Sequence, residues 1–286
     1  MGINLLSSAY SEPAQGLNCC PTKPYETSNF VTRGIQGVFG LNWLFHQVAE
    51  SQVEKQIKKV ITSGDVKVKI KPYSAMDLLD GKMRSFDVKG KNIVANGFHI
   101  SSFEVKSLCD YVSVDYKKNP VELREPVLAG LKASITQNDI NKSLSSPEWK
   151  ENFEKIKVKV FDTDISLFEF LDPRVEIDKD KIYISSSLHL AGTPRFLSIP
   201  LYFGTGLRVD NNKLKFVGVK MISKGLGANL GPISEFLDKM AVCALDFNLL
   251  NNSTMNINIK KILVNNGKID LDGTLWLAAA PKSPQK

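Results

Sequence analysis

A chain of 286 residues with 43% hydrophobic and 23% charged side chains has the composition of an ordinary globular protein, with room for one large domain or two small ones. Its four cysteines, the adjacent Cys19 and Cys20 and the separate Cys109 and Cys243 inside apolar patterns, argue against a disulfide framework and against a Cys-zinc module. The net charge of +7 is uneven. Ten basic residues (Lys55, Lys58, Lys59, Lys67, Lys69, Lys71, Lys82, Arg84, Lys89 and Lys91) stand against four acids between Lys55 and Lys91, a local charge of +6. Such a segment either draws polyanions, nucleic acid or anionic lipid headgroups, or is a solvated strand face.

In chain order, residues 1–30 are rich in Ser, Pro, Asn and Thr without periodicity and read as a disordered tail. The start, Met1-Gly2-Ile3-Asn4-Leu5-Leu6, lacks the basic region of a signal peptide and has Leu6 where a myristoylation site needs Ser or Thr. This predicts a cytoplasmic or peripheral membrane location and leaves an envelope location open. The longest uncharged apolar run, Ile35 to Phe45, is shorter than the roughly 20 residues that span a bilayer.

The first long element is a predicted helix. Ile35, Val38, Phe39, Leu41, Phe45, Val48, Val53, Ile57, Val60 and Ile61 recur at helical spacing, and Gly64 ends the run. Its first half is apolar nearly all round, which means burial on several sides. Strands follow. Val66, Val68 and Ile70 alternate with Lys67, Lys69 and Lys71, and Phe86 and Val88 alternate with Ser85, Asp87 and Lys89. Similar alternation recurs in Phe98-Ile100, Phe103-Val105, Val112-Val114-Tyr116 and Leu131-Ala133-Ile135. Two short helices come next, one opened by Thr136 with Asp139 three residues on, the other by Pro147.

The last third repeats one pattern: apolar, Asp/Asn, two turn-formers, Lys, apolar, any, apolar. It appears at Ile177–Ile184, Val209–Phe216 and Val264–Leu271, and each copy predicts a hairpin. One more helix, with Pro232 near its start, carries Ile233, Phe236, Leu237, Met240, Ala241 and Ala244 on one face. The sum is an α+β fold in a single domain over residues 31–280, followed by a tail at 281–286. Few helices are present to cover so much one-sided strand, so the expected architecture is a long, strongly curved antiparallel hairpin meander rolled around the long N-terminal helix.

Catalytic signals are thin. His46, His99 and His189 are far apart and have no Cys or carboxylate at metal-ligand spacing. Gly225 to Gly231 misses the dinucleotide fingerprint by one position and lacks a parallel βαβ context. Asp162-Thr163-Asp164, Asp178-Lys179-Asp180 and Asp270-Leu271-Asp272 each place two carboxylates on one strand face, where a divalent ion can be clamped. The second lies in a hairpin turn and the third on the solvent side of a hairpin. Asp162 and Asp164 therefore carry the alternative reading, a glycosyltransferase-like or other enzyme acting on a lipid-linked substrate. A third reading, a weak polyanion binder, is limited by the scarcity of stacking aromatics among the lysines, where only Tyr73 and Phe86 occur.

Two segments add a resemblance. Leu79, Gly81, Lys82 and Phe86 lie in "LLDGKMRSFDVKGKNIVANGFHISSFEVKS", and Ala133, Ile135, Thr136, Asp139, Ile140, Asn141 and Leu144 follow Pro126 in "VELREPVLAGLKASITQNDINKSLSSPEWKENF". With the closing "KILVNNGKIDLDGTLWL", this order resembles the LmeA-like phospholipid-binding family over about residues 34–278. The resemblance implies a fold similar to tubular lipid-binding modules, with an apolar groove for acyl chains, and it transfers no catalytic residue.

The function expected from it is non-catalytic binding of phospholipid or acyl chains at a membrane surface, in lipid transfer or envelope lipid homeostasis. No cofactor or metal is expected. The partners are a phospholipid and an anionic membrane surface, with no specific nucleic acid. Groove candidates are Val38, Phe39, Leu41, Phe45, Val48, Met83, Phe86, Phe98, Phe103, Phe203, Phe236 and Met240. The ten basic residues from Lys55 to Lys91 are the headgroup candidates.

Overall fold

A computed structural model describes residues 50, 51, 53–55, 57–59, 61–118, 121–154, 158–160, 163–165, 168–190, 192–222, 251, 252 and 255–280. The alternating segments are strands throughout. β1 (Ser63–Pro72) leads through the short helix α1 (Ala75–Leu79) into β2 (Lys82–Ala95) and β3 (Phe98–Ser107). β4 (Val112–Asp115), β5 (Glu122–Leu123) and β6 (Val127–Thr136) follow, then helices α2 (Gln137–Leu144) and α3 (Pro147–Glu154). The rest is β7 (Val158–Val160), β8 (Thr163–Ile165), β9 (Phe168–Asp178), β10 (Lys181–Leu190), β11 (Ile199–Asp210), β12 (Lys213–Met221), β13 (Met255–Asn265) and β14 (Lys268–Leu277).

The pairings are antiparallel and divide the strands into sheets. An eight-stranded sheet runs β13-β14-β6-β3-β2-β4-β5, with β1 on the other edge of β2. A four-stranded sheet runs β12-β11-β10-β9, and β7 pairs with β8. All three repeated motifs are hairpins, and their turns place Lys179, Asn211, Asn212, Asn266 and Gly267 at positive φ. They do not form one meander, however. β13–β14 leaves the other two hairpins and joins the N-terminal strands, with Lys268 to Leu277 in unbroken register with Thr136 to Val127. Very long open sheets of twisted strands curl or split into packed layers, and here the strands divide into two.

A first core fills the space between these layers. Ile135, Ile259, Ile269 and Leu271 of the large sheet pack with Ile177, Ile182, Ile184, Leu201 and Phe203 of the smaller one. A second core gathers Val66, Val68, Ile70, Leu78, Met83, Ile93, Val112, Val114 and Val127, with Val53, Ile57 and Ile61 packed against it. Residues 50, 51, 53–55 and 57–59, within the segment predicted as a long helix, are helical. The remainder of that expected helix, including Val38, Phe39, Leu41, Phe45 and Val48, lies outside the described residues. So does the helix expected after Pro232.

Helix α2 shows why the Ile135-to-Leu144 segment has its sequence. Thr136 and Asp139 form a reciprocal capping box: the Thr136 amide and hydroxyl donate to Asp139 Oδ2 at 2.8 and 2.6 Å, and the Asp139 amide donates to Thr136 Oγ1 at 3.2 Å. The Ser101 hydroxyl also donates to Asp139 Oδ2. Asn141 then reaches across to the edge of β9, donating from Nδ2 to the Val175 carbonyl at 2.8 Å and accepting from the Val175 amide at 2.7 Å. Gln137 Oε1 accepts from the Ile177 amide at 2.8 Å. The helix thus ties the large sheet to the small one.

Cys109 is buried in the fold, and the chain's other three cysteines lie outside the described residues.

Gly81 links α1 to β2 at a φ of +77°, and a Cβ there would lie 1.9 Å from the Val114 carbonyl oxygen. The same turn accepts the Val114 amide at 2.8 Å, so β4 cannot easily withdraw. Gly81→Ala is expected to cost about 2 kcal/mol or more in urea unfolding.

Burial alone would raise the Asp139 carboxyl, but hydrogen bonds from Ser101 and from the Thr136 hydroxyl and amide hold it below its ordinary range. A carboxyl depressed by folding contributes stability that is full above its unfolded value, about 3.9, and is lost as pH falls through the folded value. Asp139→Asn should therefore be less stable at neutral pH, and should lose less stability than the wild type as the pH falls below about 4. Urea midpoints measured at both pH values check this.

Candidate functional site

The eight-stranded sheet has two chemically opposite faces, and both bear on function. Strand parity and register place Phe86, Val88 and Gly90 of β2 on the inner face, beside Ile70, Val68 and Val66 of β1. The same face continues through Phe103 and Val105 of β3, Leu131 and Ala133 of β6, and Leu271, Gly273 and Leu275 of β14. Its outer strands are buried by the two cores. Its middle is not.

Phe86, Val88, Phe103, Val105, Leu131 and Leu275 are only half-buried. Val105 and Leu275 belong to neither core, while Phe86, Val88 and Phe103 border the second and Leu131 the first. Together they make an apolar strip across four strands. Gly90 matters to its shape, because the Phe103 ring lies where a side chain at position 90 would be, 2.2 Å from the site of a Cβ. Where β2 passes the end of β3, the Phe86 amide donates to Ser107 Oγ at 3.2 Å, which satisfies a backbone group near the apolar surface.

The outer face is cationic. Lys67, Lys69 and Lys71 are exposed on β1, and with Lys91 they make no ion pair among the described residues. Lys89 is engaged: its Nζ lies 2.8 Å from Glu104 and 3.5 Å from Asp87. The Glu104 hydrogen bond holds this ammonium above its ordinary range, and Lys89 holds the Glu104 carboxyl below its own. Here the outer face carries an open depression of about 370 Å³, whose charged rim is Lys89, Lys91, Lys132 and Lys261 with Glu104, Asp270 and Asp272.

The sequence-predicted residues divide accordingly. Phe86 and Phe103 lie in the strip. Met83 and Phe203 are buried, one in each core. Phe98 packs on the first core and against the Trp149 ring, with centroids 5.9 Å apart. Phe236 and Met240 lie outside the described residues, as do the five from the first half of the long helix. Of the basic candidates, Lys55, Lys58 and Lys59 are exposed on the helical residues, Lys82 lies 3.7 Å from Asp80, and Arg84 lies 3.7 Å from Asp110.

Asp162 is outside the described residues, and Asp164 falls in β8 opposite Lys159. Sequence reasoning missed Val105, Leu131 and Leu275 in the strip, and Lys132, Lys261, Asp270 and Asp272 in the depression. Their alternation was readable, but bringing β3, β6, β14 and β13 side by side requires the pairing.

The fold is β-rich, with a half-buried apolar strip on one face of the large sheet and a row of exposed lysines on the other. The family model described as LmeA-like phospholipid-binding matches residues 40–274, and the chain belongs to that family. No curated protein and no solved structure matches it.

If the strip is a contact surface, truncating it costs the free protein little. Leu275→Ala should lower stability by less than about 1 kcal/mol, whereas Ile70→Ala in the second core should cost about 2–5 kcal/mol. Paired urea titrations of the two variants distinguish the sites.

Proposed function

We propose that this chain is a non-catalytic acyl-lipid carrier that works against an anionic membrane surface. The observation that carries the reading is the strip of Phe86, Val88, Phe103, Val105, Leu131 and Leu275, apolar, half-buried and continuous between two closed cores. In a folded chain such a surface is the natural seat of a hydrocarbon tail. Each methylene buried there gains about 0.8 kcal/mol, so one long acyl chain supplies roughly 10 kcal/mol before ordering and desolvation are subtracted. Val38, Phe39, Leu41, Phe45 and Val48 remain candidates for contact with that chain in this reading.

The lysines act on the headgroup side. Each cation held near an anionic surface contributes roughly 1 kcal/mol, falling off over a Debye length. Lys67, Lys69 and Lys71 project from alternate positions of one strand and so present as a row. Movement of lipid between membranes, in support of envelope lipid homeostasis, is the task this combination suits.

Native mass spectrometry of the purified protein before and after organic extraction tests the reading. A removable mass in the range of a diacyl phospholipid is the expected result, and Leu275→Trp should lower its occupancy without unfolding the protein. Absence of any lipid adduct together with absence of vesicle binding would overturn it. Replacing Lys67, Lys69 and Lys71 with Gln should weaken binding to anionic vesicles by about tenfold to a hundredfold. The same triple change should leave lipid occupancy untouched.

A further inference from the structure

The most exposed large apolar side chains of the described residues lie far from the strip in the chain, at the turn between β10 and β11. Phe196 is 83% exposed and Leu197 57%, both within the single 3-10 turn Arg195–Leu197. Ile199 and Ile222, 38% and 47% exposed, lie at the same end of the four-stranded sheet, where the Ile222 amide donates to the Tyr202 carbonyl. Scattered exposed apolar residues are ordinary in soluble proteins. Phe196 and Leu197, adjacent on one held turn, form a local apolar protrusion rather than scattered exposure.

The turn is held by its own bonds. The Leu197 amide donates to the Pro194 carbonyl at 3.0 Å, and the Ser198 amide and hydroxyl both donate to the Arg195 carbonyl, at 3.1 and 2.6 Å. Behind them, Nδ1 of the buried His189 lies 3.2 Å from Ser198 Oγ. Phe196 is therefore displayed from an ordered backbone, and little further ordering is needed when it enters an apolar phase.

Further along the strands from the turn, Gly204 leaves room for the Tyr183 ring and the Ile222 side chain, each 3.2 Å from where its Cβ would be. Tyr183 stacks on Tyr202 with centroids 5.8 Å apart and planes 5° apart. The segment from Gly192 to Ile199 holds one cation, Arg195, and no acid. Apolar side chains at the extremity, beside a guanidinium that makes no ion pair among the described residues, suit the acyl boundary and the phosphate layer of a bilayer.

We infer that the β10–β11 turn is a membrane-insertion tip, with Phe196 and Leu197 entering the acyl boundary of a phospholipid bilayer and Arg195 meeting its phosphates. This rests on the lipid reading above for the chemistry of the partner. It adds a contact that the lysine row does not supply, because apolar insertion also operates on uncharged lipid.

The test uses the full chain with vesicles of pure phosphatidylcholine and of phosphatidylcholine mixed equally with phosphatidylglycerol. Phe196→Ser combined with Leu197→Ser should keep the wild-type melting temperature and weaken partition onto both vesicles by about tenfold or more. Phe196→Trp should gain fluorescence that shifts blue on binding and is quenched by phosphatidylcholine brominated on its acyl chains, beyond any quenching of the wild type.

If the wild type binds anionic vesicles but the serine pair binds them equally well and the added fluorescence of Phe196→Trp is not quenched, the tip is overturned and the carrier reading stands. If the wild type carries an extractable lipid yet binds no vesicle, the tip again fails alone. If it carries no lipid and binds no vesicle, both fail. A wild type that sediments as a dimer and a serine pair that sediments as a monomer, with vesicle binding unchanged, would make the tip a contact between copies and overturn the insertion.

Discussion

The architecture depends on how its sheet edges are closed. An open edge strand offers a row of unsatisfied amides and carbonyls and a template for pairing with another chain. Three edges of this molecule are met by side chains instead. Glu54 and Glu50 accept from the Val68 and Ile70 amides of β1, at 2.9 and 2.8 Å. Asn141 and Gln137 meet β9, and Asn212 accepts from Ile259 while donating to the Ile257 carbonyl of β13. Asn251 adds a second contact there, accepting from the Ile257 amide at 2.6 Å. A carboxamide carries a donor and an acceptor side by side, so one Asn can imitate the backbone of a neighbouring strand.

That closure allows the inner face to stay partly open. Because the edges are held by polar bonds, the two layers need not be pressed together along their whole length, and the apolar contacts concentrate in two separate cores. Between them the strip of Phe86, Val105, Leu131 and Leu275 is left half-buried. A fully packed interior would be more stable but would leave no apolar surface open. The bonds at the sheet edges and the openness at the centre belong to one arrangement, and α2 serves both by fixing the distance between layers.

Much of this was legible in the sequence wherever the signal is local. Alternation assigned Phe86 and Val88 to the inner face and the lysines of β1 to the outer one, and Asn or Asp at tight turns located all three C-terminal hairpins. Thr136 and Asp139 announced the start of α2 for the same reason: a capping box is complete within four residues. Pairing between distant strands leaves no such mark. Nothing in Leu275 or Lys261 distinguishes β6 as the destination of β14, so neither the strip nor the charged depression was readable as a unit. Asn141 and Asn212 look like ordinary helix and turn residues until the edge strand they satisfy is beside them.

The register between β14 and β6 has a consequence in time. Lys268 to Leu277 pair with Thr136 to Val127, so on a ribosome the large sheet must wait at β6 while residues 137 to 267 are made. Through that interval the free edge of β6 and the apolar row that includes Leu131 and Ala133 have no partner strand on that side. Closure across so long a loop is slow, and an unpaired apolar edge is the form in which nascent β proteins aggregate. The yield of this fold is therefore governed by how its unfinished sheet is sheltered until the last hairpin arrives, a demand on chaperones and on the rate of synthesis that the finished structure no longer displays.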